Sequence, residues 1–341
     1  MRTRLTTAVL ASGVSLDRTT VERAVASLAR QEAPLAPSDV LRRVVDDIVG
    51  LGPLEVLLAD DAVTDVLVNG PSEVWVERRG ELIRTDVTFD DERDLLAVIA
   101  RVITPLGLRL DRSSPIVDAR LADGSRLHAV VPPATPDGPI VAIRRFTEAV
   151  ADLDGLLAAG SIDVDAADRL REVVASRRNL LVSGGTGTGK TTLLNVLTRL
   201  IPPNERTVIV EDAAELRASG HQVRLEAQPA NAEGRGGVAL DQLVRAALRL
   251  RPDRIIVGEV RGPEALDLVA ALNTGHAGSM STIHANGPDE ALLRLETLAL
   301  SGVRRPAPDA VRRQIEAAVD TVVQLGRVDG VRRVVEIRDM R

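Results

Sequence analysis

One segment constrains this chain more than any other. Gly184-Gly185-Thr186-Gly187-Thr188-Gly189-Lys190-Thr191 follows the apolar run Leu180-Leu181-Val182 and leads into an amphipathic stretch over 191–200. A buried strand, a glycine loop and a helix in that order form the P-loop pattern, G-x-x-x-x-G-K-[ST]. The glycines let backbone N–H groups curl around phosphate oxygens, and the helix N-terminus adds positive partial charge. Lys190 is placed to reach the β- and γ-phosphates, the Thr191 hydroxyl to hold Mg²⁺, and Thr192 to complete the exit of the loop. The pattern arises by chance at roughly four positions in 100,000 at average residue usage. The bland alternative, a glycine-rich turn without a ligand, does not explain its place between strand and helix.

Residue usage sharpens the reading. Of 43 basic residues, 42 are arginine, and the single lysine is Lys190. Where a guanidinium serves, arginine is used; one position needs a compact ammonium on a flexible stem. The formal charge of -6 and the three aromatics, Trp75, Phe89 and Phe146, argue against a basic, ring-lined nucleic-acid track. There is no cysteine, which excludes disulfides, thiolate metal sites and thiol nucleophiles. No uncharged apolar run approaches the length of a membrane span. Residues 1–16 faintly resemble a secretory signal, but the apolar part is polar-interrupted and Asp17-Arg18 follow at once, so an N-terminal extension is the expectation.

At 341 residues the chain suits two domains. The pattern predicts helix over 19–49 and strands over 63–68 and 74–77 around the turn Asn69-Gly70-Pro71. It also predicts a helix over 92–103, capped by Asp90 or Asp91. A hairpin follows. Val117, Ala119 and Leu121 share a face with Leu127, Ala129 and Val131 only if the turn has three residues, read as Asp123-Gly124-Ser125. Arg120, Arg126 and His128 then project from the other face. A strand over 140–146 carries Arg144 and Arg145, and 148–160 reads as a link. Beyond it strands and helices alternate, the signature of a sheet flanked by helices. Apolar strands are expected at 180–182, 207–210, 255–257 and 280–283, with a last hairpin, 321–325 and 331–337, joined through Asp329-Gly330. The boundaries expected are an extension over 1–40, an α+β domain over 41–147, the link, and an α/β P-loop domain over 161–341.

Two of these strands end in acids. Arg254-Ile255-Ile256-Val257-Gly258-Glu259 suits a Walker B element, placing a carboxylate beside metal and γ-phosphate; a core strand followed by a solvated Glu reads equally well. Val208-Ile209-Val210-Glu211-Asp212 repeats the design at an edge where open parallel sheets bind ligands. His276 and His284 stand eight apart around another strand. A metal pair lacks a third ligand; sensing of phosphate by hydrogen bonds, or ordinary satisfied histidines, both remain open.

The order Gly184–Thr191, Glu211-Asp212, Gly258-Glu259, His276, His284 resembles the secretion ATPases of type II and type IV systems. Within them it is similar to the CpaF branch, which drives tight-adherence (Tad) pilus assembly. Gly50-Leu51-Gly52-Pro53-Leu54, Val68-Asn69-Gly70-Pro71, the run from Asp118 to Arg126, Arg249 to Arg254, and Thr274-Gly275-His276 carry that likeness. Val260, Ala277 and Gln228 depart from it, standing where cysteine, aspartate and arginine are usual. The resemblance implies a RecA-like motor domain, a hinged N-terminal domain and a homo-oligomer, a ring of six. It implies an acidic box with Glu211, Walker B with Glu259, and a histidine box with His276 and His284. Arg120 and Arg126 match the arginines that reach the γ-phosphate in such enzymes.

The expectation is therefore a Mg²⁺-dependent ATPase, with Lys190, Glu259, Glu211, Arg120 and Arg126 catalytic and Thr191 and Glu259 serving the metal. It would power a pilus or secretion apparatus at the cytoplasmic face of the inner membrane, as a peripheral protein on a membrane platform partner, with no nucleic acid. The rival is a RecA-like nucleic-acid translocase. A GTPase is disfavoured because an Asn-Lys-x-Asp motif needs a lysine the chain lacks.

Overall fold

The computed structural model describes residues 2–15, 17–78, 80–121, 123–145, 150–230 and 234–340. They fall into two compact units, residues up to 145 and residues from 150 on.

The first unit begins with three helices, Arg2–Ala11, Arg18–Glu32 and Ser38–Val49. Leu5, Val9, Val21, Val25, Val44, Val45 and Ile48 form their common core. The helical pattern over 19–49 is thus interrupted: Ala33, before Pro34, leaves the helical region, and Pro37 stands at the start of the next helix. A six-stranded sheet follows, built from β1 (Val63–Asn69), β2 (Val74–Arg78), β3 (Glu81–Arg84), β4 (Ile116–Arg120), β5 (Arg126–Val130) and β6 (Ile140–Arg144). The order is β3-β2-β1-β6-β5-β4, every pair antiparallel. Helix Glu92–Ile103, capped by Asp91 accepting from the Asp94 N–H, packs Leu95, Val98 and Ile99 against one face. β3 escaped the sequence reading because all four of its residues are exposed.

The β4–β5 hairpin corrects one expectation. Arg120 pairs with Arg126 and the Leu121 N–H donates to the Ser125 carbonyl, so the connection is 122–124, one position earlier than Asp123–Ser125. Ala122 lies outside the described residues. Both turns have three residues, and moving one along changes each pairing by two, so the faces survive. Val117, Ala119, Leu127 and Ala129 are buried while Arg120, Arg126 and His128 point away.

The second unit holds β7 (Leu180–Gly184), β8 (Thr207–Glu211), β9 (Gln222–Glu226), β10 (Arg254–Val260), β11 (Met280–Ile283), β12 (Thr321–Val328) and β13 (Val331–Asp339). Their order is β13-β12-β7-β11-β10-β8-β9, parallel except for β13. Central strands buried on both faces are apolar throughout rather than alternating, which is why they were legible. Successive residues feed different cores. Leu181, Val208, Val210, Ile255 and Val257 join helices Leu240–Ala247, Glu264–Leu272, Pro288–Leu300 and Pro308–Ala318 on one side. Leu180, Val182, Ile209 and Ile256 join helices Val164–Ala175 and Lys190–Arg199 on the other. This is the α/β, RecA-like layout, preceded by a smaller α+β unit. No helix among the described residues is long and apolar enough to cross a membrane.

Candidate nucleotide site

The carboxyl edge of the second sheet gathers most of the residues singled out from sequence. β7 delivers the loop 185–189 and helix Lys190–Arg199 leaves it. Gly187 and Gly189 have φ of 68° and 95°, conformations that side chains resist, so the loop can curl with its N–H groups inward. Lys190 is 9% exposed, and its Nζ donates to the carbonyls of Gly184 at 3.0 Å and Gly185 at 2.8 Å. Burial pushes its pKa down, opposed by the charge of Glu259. An ammonium folded onto the loop it must serve, at a helix N-terminus framed by left-handed glycines, fits a polyphosphate. Thr191 and Thr192 follow, each half-buried.

Glu211 ends β8 and is 4% exposed. Its Oε1 accepts from the N–H groups of Glu215 and Leu216, at 2.9 and 3.0 Å, and the removal of its carboxylate from water raises its pKa to about 7. A Cβ on Gly258 would lie 2.9 Å from Glu211 Cγ, so the neighbouring strand needs glycine there. Next to it stands Glu259. Between Val257 and Val260 the β10–β11 register shifts, two residues of β11 facing three of β10. Such a bulge re-aims a side chain at a sheet's rim, and no sequence signal announced it. Arg261 Nη2 donates to Glu259 Oε2 at 2.5 Å, and its Nη1 lies 3.9 Å from Asp212. Arg261 went unremarked in the sequence; its partners are apparent only in three dimensions.

The two histidines part company. His284 follows β11 at the loop's edge, with Nε2 3.5 Å from Thr186 Oγ1. His276 precedes β11, whose first residue pairs with the first residue of β7. Its Nδ1 faces the Ala271 carbonyl at 3.1 Å. Four strand residues separate the two edges, about 13 Å. Within one chain a spacing of eight across a strand puts the two histidines at opposite ends of β11, His284 at the phosphate loop and His276 at the far edge.

Arg120 and Arg126 belong to the first unit, where they are directly opposed on β4 and β5, and Arg144 on β6 continues the row beside Arg126. The register thus lines up three guanidinium-bearing positions on one face of the sheet. Arg144 extends the sequence-predicted pair; its strand position alone did not reveal the alignment.

The chain matches the model of the family described as type II/IV secretion system protein over residues 47–332. A Mycobacterium tuberculosis protein described as a conjugal transfer protein is 46% identical over 310 residues, covering 88% of this chain and 87% of its own. The conjugal transfer protein TrbB of Rhizobium radiobacter is 34% identical over 303 residues, 87% of this chain and 89% of its own. Among solved structures, the Legionella pneumophila ATPase DotB superposes with a TM-score of 0.59 over 85% of this chain and 80% of its own, at 21% identity, a likeness of fold. The family match over most of the chain and the identity to these relatives settle the assignment: this chain belongs to the type II/IV secretion system protein family.

Proposed function

We propose that the chain is a Mg²⁺-dependent ATPase that works as a motor for a secretion or pilus apparatus. The observation that carries this is the convergence at one sheet edge of Lys190, buried on the phosphate loop, with two acids from β8 and β10. On binding ATP the Lys190 ammonium exchanges the carbonyls of Gly184 and Gly185 for the β- and γ-phosphate oxygens. Thr191 and Glu259 are the residues that would hold Mg²⁺, which supplies charge neutralisation at the terminal phosphates. Glu259 orients or deprotonates the attacking water, while Glu211 shapes the loop 212–216 beneath it. Arg120 and Arg126 of the smaller unit supply positive charge to the γ-phosphate, and His284 senses its presence through Thr186.

The finer reading is a homo-hexameric ring of the Tad-pilus branch, held peripherally at the cytoplasmic face of the inner membrane by a platform protein. A nucleic-acid translocase is not favoured. The residues from 150 to 340 contain no Trp, Tyr or Phe on which bases could stack, and the chain is acidic. Steady-state phosphate release from ATP tests the core of the proposal: turnover is expected in the wild type and lost in Lys190→Arg. Wild-type protein that binds ATP without releasing phosphate would make it a nucleotide-gated scaffold instead. A several-fold stimulation by single-stranded DNA at physiological salt would restore the translocase.

A further inference from the structure

The β12–β13 hairpin carries two arginines that the phosphate site has not yet used. Its turn, Asp329-Gly330, has φ of 51° and 79°, the two positive values of the tight two-residue connection that matches strand twist. Two residues from that turn Arg327 pairs directly with Arg332, so both side chains leave the same face. That face meets the loop. Arg327 Nη2 lies 3.5 Å from the Gly187 carbonyl oxygen, and a Cβ on Gly189 would sit 3.9 Å from Arg332 Cδ.

Three observations say what the pair is for. Neither arginine has a carboxylate within ion-pair distance among the described residues, although two like charges in register are unfavourable by themselves. Both are exposed at the mouth of the site. And β12 flanks β7 on the side opposite β11, β10 and β8, which carry His284, Glu259 and Glu211. A triphosphate lying along the loop with its terminal phosphate toward the acids extends its nucleoside toward the hairpin.

Residues 150–340 hold no Trp, Tyr or Phe, and the imidazole at the loop, His284, follows β11 on the side of β7 away from the hairpin. A guanidinium plane stacks on a π-system while also donating hydrogen bonds, and the hairpin presents two of them on this side of the loop. We infer that Arg327 and Arg332 form the nucleoside subsite of the motor unit, one guanidinium lying against the purine and the other donating to the ribose. This rests on the nucleotide reading of the loop.

Calorimetric titration of the full chain with Mg-ADP and with Mg-tripolyphosphate separates the two ideas, since tripolyphosphate keeps a polyphosphate chain and has no nucleoside. In Arg327→Gln and Arg332→Gln, ADP affinity is expected to fall about tenfold each, and about a hundredfold in the double variant. Tripolyphosphate should bind all of them within about twofold of wild type. Arg332→Lys should lose as much ADP affinity as Arg332→Gln, because an ammonium keeps the charge and lacks the plane. Melting temperatures near wild type identify folded variants; the surface position makes large losses unexpected. Wild-type ADP affinity in the double variant would overturn the hairpin inference and leave the loop reading intact. So would parallel loss of ADP and tripolyphosphate, which would make the arginines general phosphate counter-charges. A wild type that binds neither ligand would overturn the loop reading itself.

Discussion

Glu259 Oε2 and Arg261 Nη2 are joined at 2.5 Å across a single intervening residue, and the same guanidinium reaches toward Asp212, one residue past the end of β8. The pair ties the carboxyl ends of β10 and β8 together where the bulge turns Glu259 outward. Arg261 is more than half exposed, so the contact adds little to stability; its effect is to fix where the carboxylate stands. Glu259→Gln should retain ATP binding and lose about 10²–10⁴ in turnover, the range for a missing general base. Arg261→Ala should lose less, with Arg261→Lys recovering part of it. Unchanged turnover in Glu259→Gln would transfer the role to Glu211.

Glu211 makes a pH prediction whose sign can be worked out. Burial raises its folded pKa to about 7, above the ordinary carboxylate value of 4.5. Between those values the folded chain holds a proton that the unfolded chain has lost. The stabilisation from this group is therefore complete below pH ~4.5 and is lost as pH rises toward ~7. The loss is on the order of 3 kcal/mol, since each pKa unit is worth about 1.4. Glu211→Gln keeps an acceptor for the N–H groups of Glu215 and Leu216 and never ionises. Melting of the nucleotide-free protein at several pH values should show the wild type falling behind the variant from pH 5 to pH 8. A constant difference across that range would mean that Glu211 does not hold its proton in the fold.

How far these residues could be read in advance depended on whether their signal was local. The P-loop is contiguous, and the strands β7, β8 and β10 announce themselves because burial on both faces leaves runs of apolar residues. The hairpin arginines were found by parity, and parity survived an error in the turn, since Arg120 and Arg126 share a face in either register. What escaped was non-local. β3 and β9 are edge strands with little burial to pattern them. The pairing of Arg261 with Glu259 depends on a bulge, and the apposition of Arg327 and Arg332 to Gly187 and Gly189 depends on which strand neighbours β7. His276 and His284, grouped by a family motif, stand at opposite ends of one strand, a separation that depends on where β11 begins and ends.

The opposed arginines of the first unit give the next expectation. Arg120→Ala and Arg126→Ala should lower turnover far more than nucleotide affinity, because supplied arginines act on charge that develops in the transition state and are worth ~10³–10⁵ in phosphoryl transfer. Turnover and equilibrium binding measured side by side test this. Equal losses in both would make the arginines ordinary ground-state ligands, and wild-type turnover would remove them from the mechanism.

Lys190 offers the most direct test of the site, because it is the sole lysine in 341 residues. The residue is 9% exposed and its amine is held by two carbonyls, while burial lowers its pKa and so favours the neutral, nucleophilic form. Two effects thus oppose each other: poor access slows an amine-reactive reagent, and the lowered pKa speeds it once the side chain swings out. Mg-ATP should protect, since bound phosphates both cover the ammonium and favour its charged, unreactive form. Peptide mapping by mass spectrometry after graded labelling should show ATPase activity falling in proportion to modification at Lys190, and protection at that residue with nucleotide present. Lys190→Arg should be inactive even though arginine fills the other 42 basic positions, since the pocket beneath the loop accepts a slim ammonium and not a planar fork. Full modification of Lys190 with activity intact would separate the glycine loop from the chemistry and sink the nucleotide reading at its base.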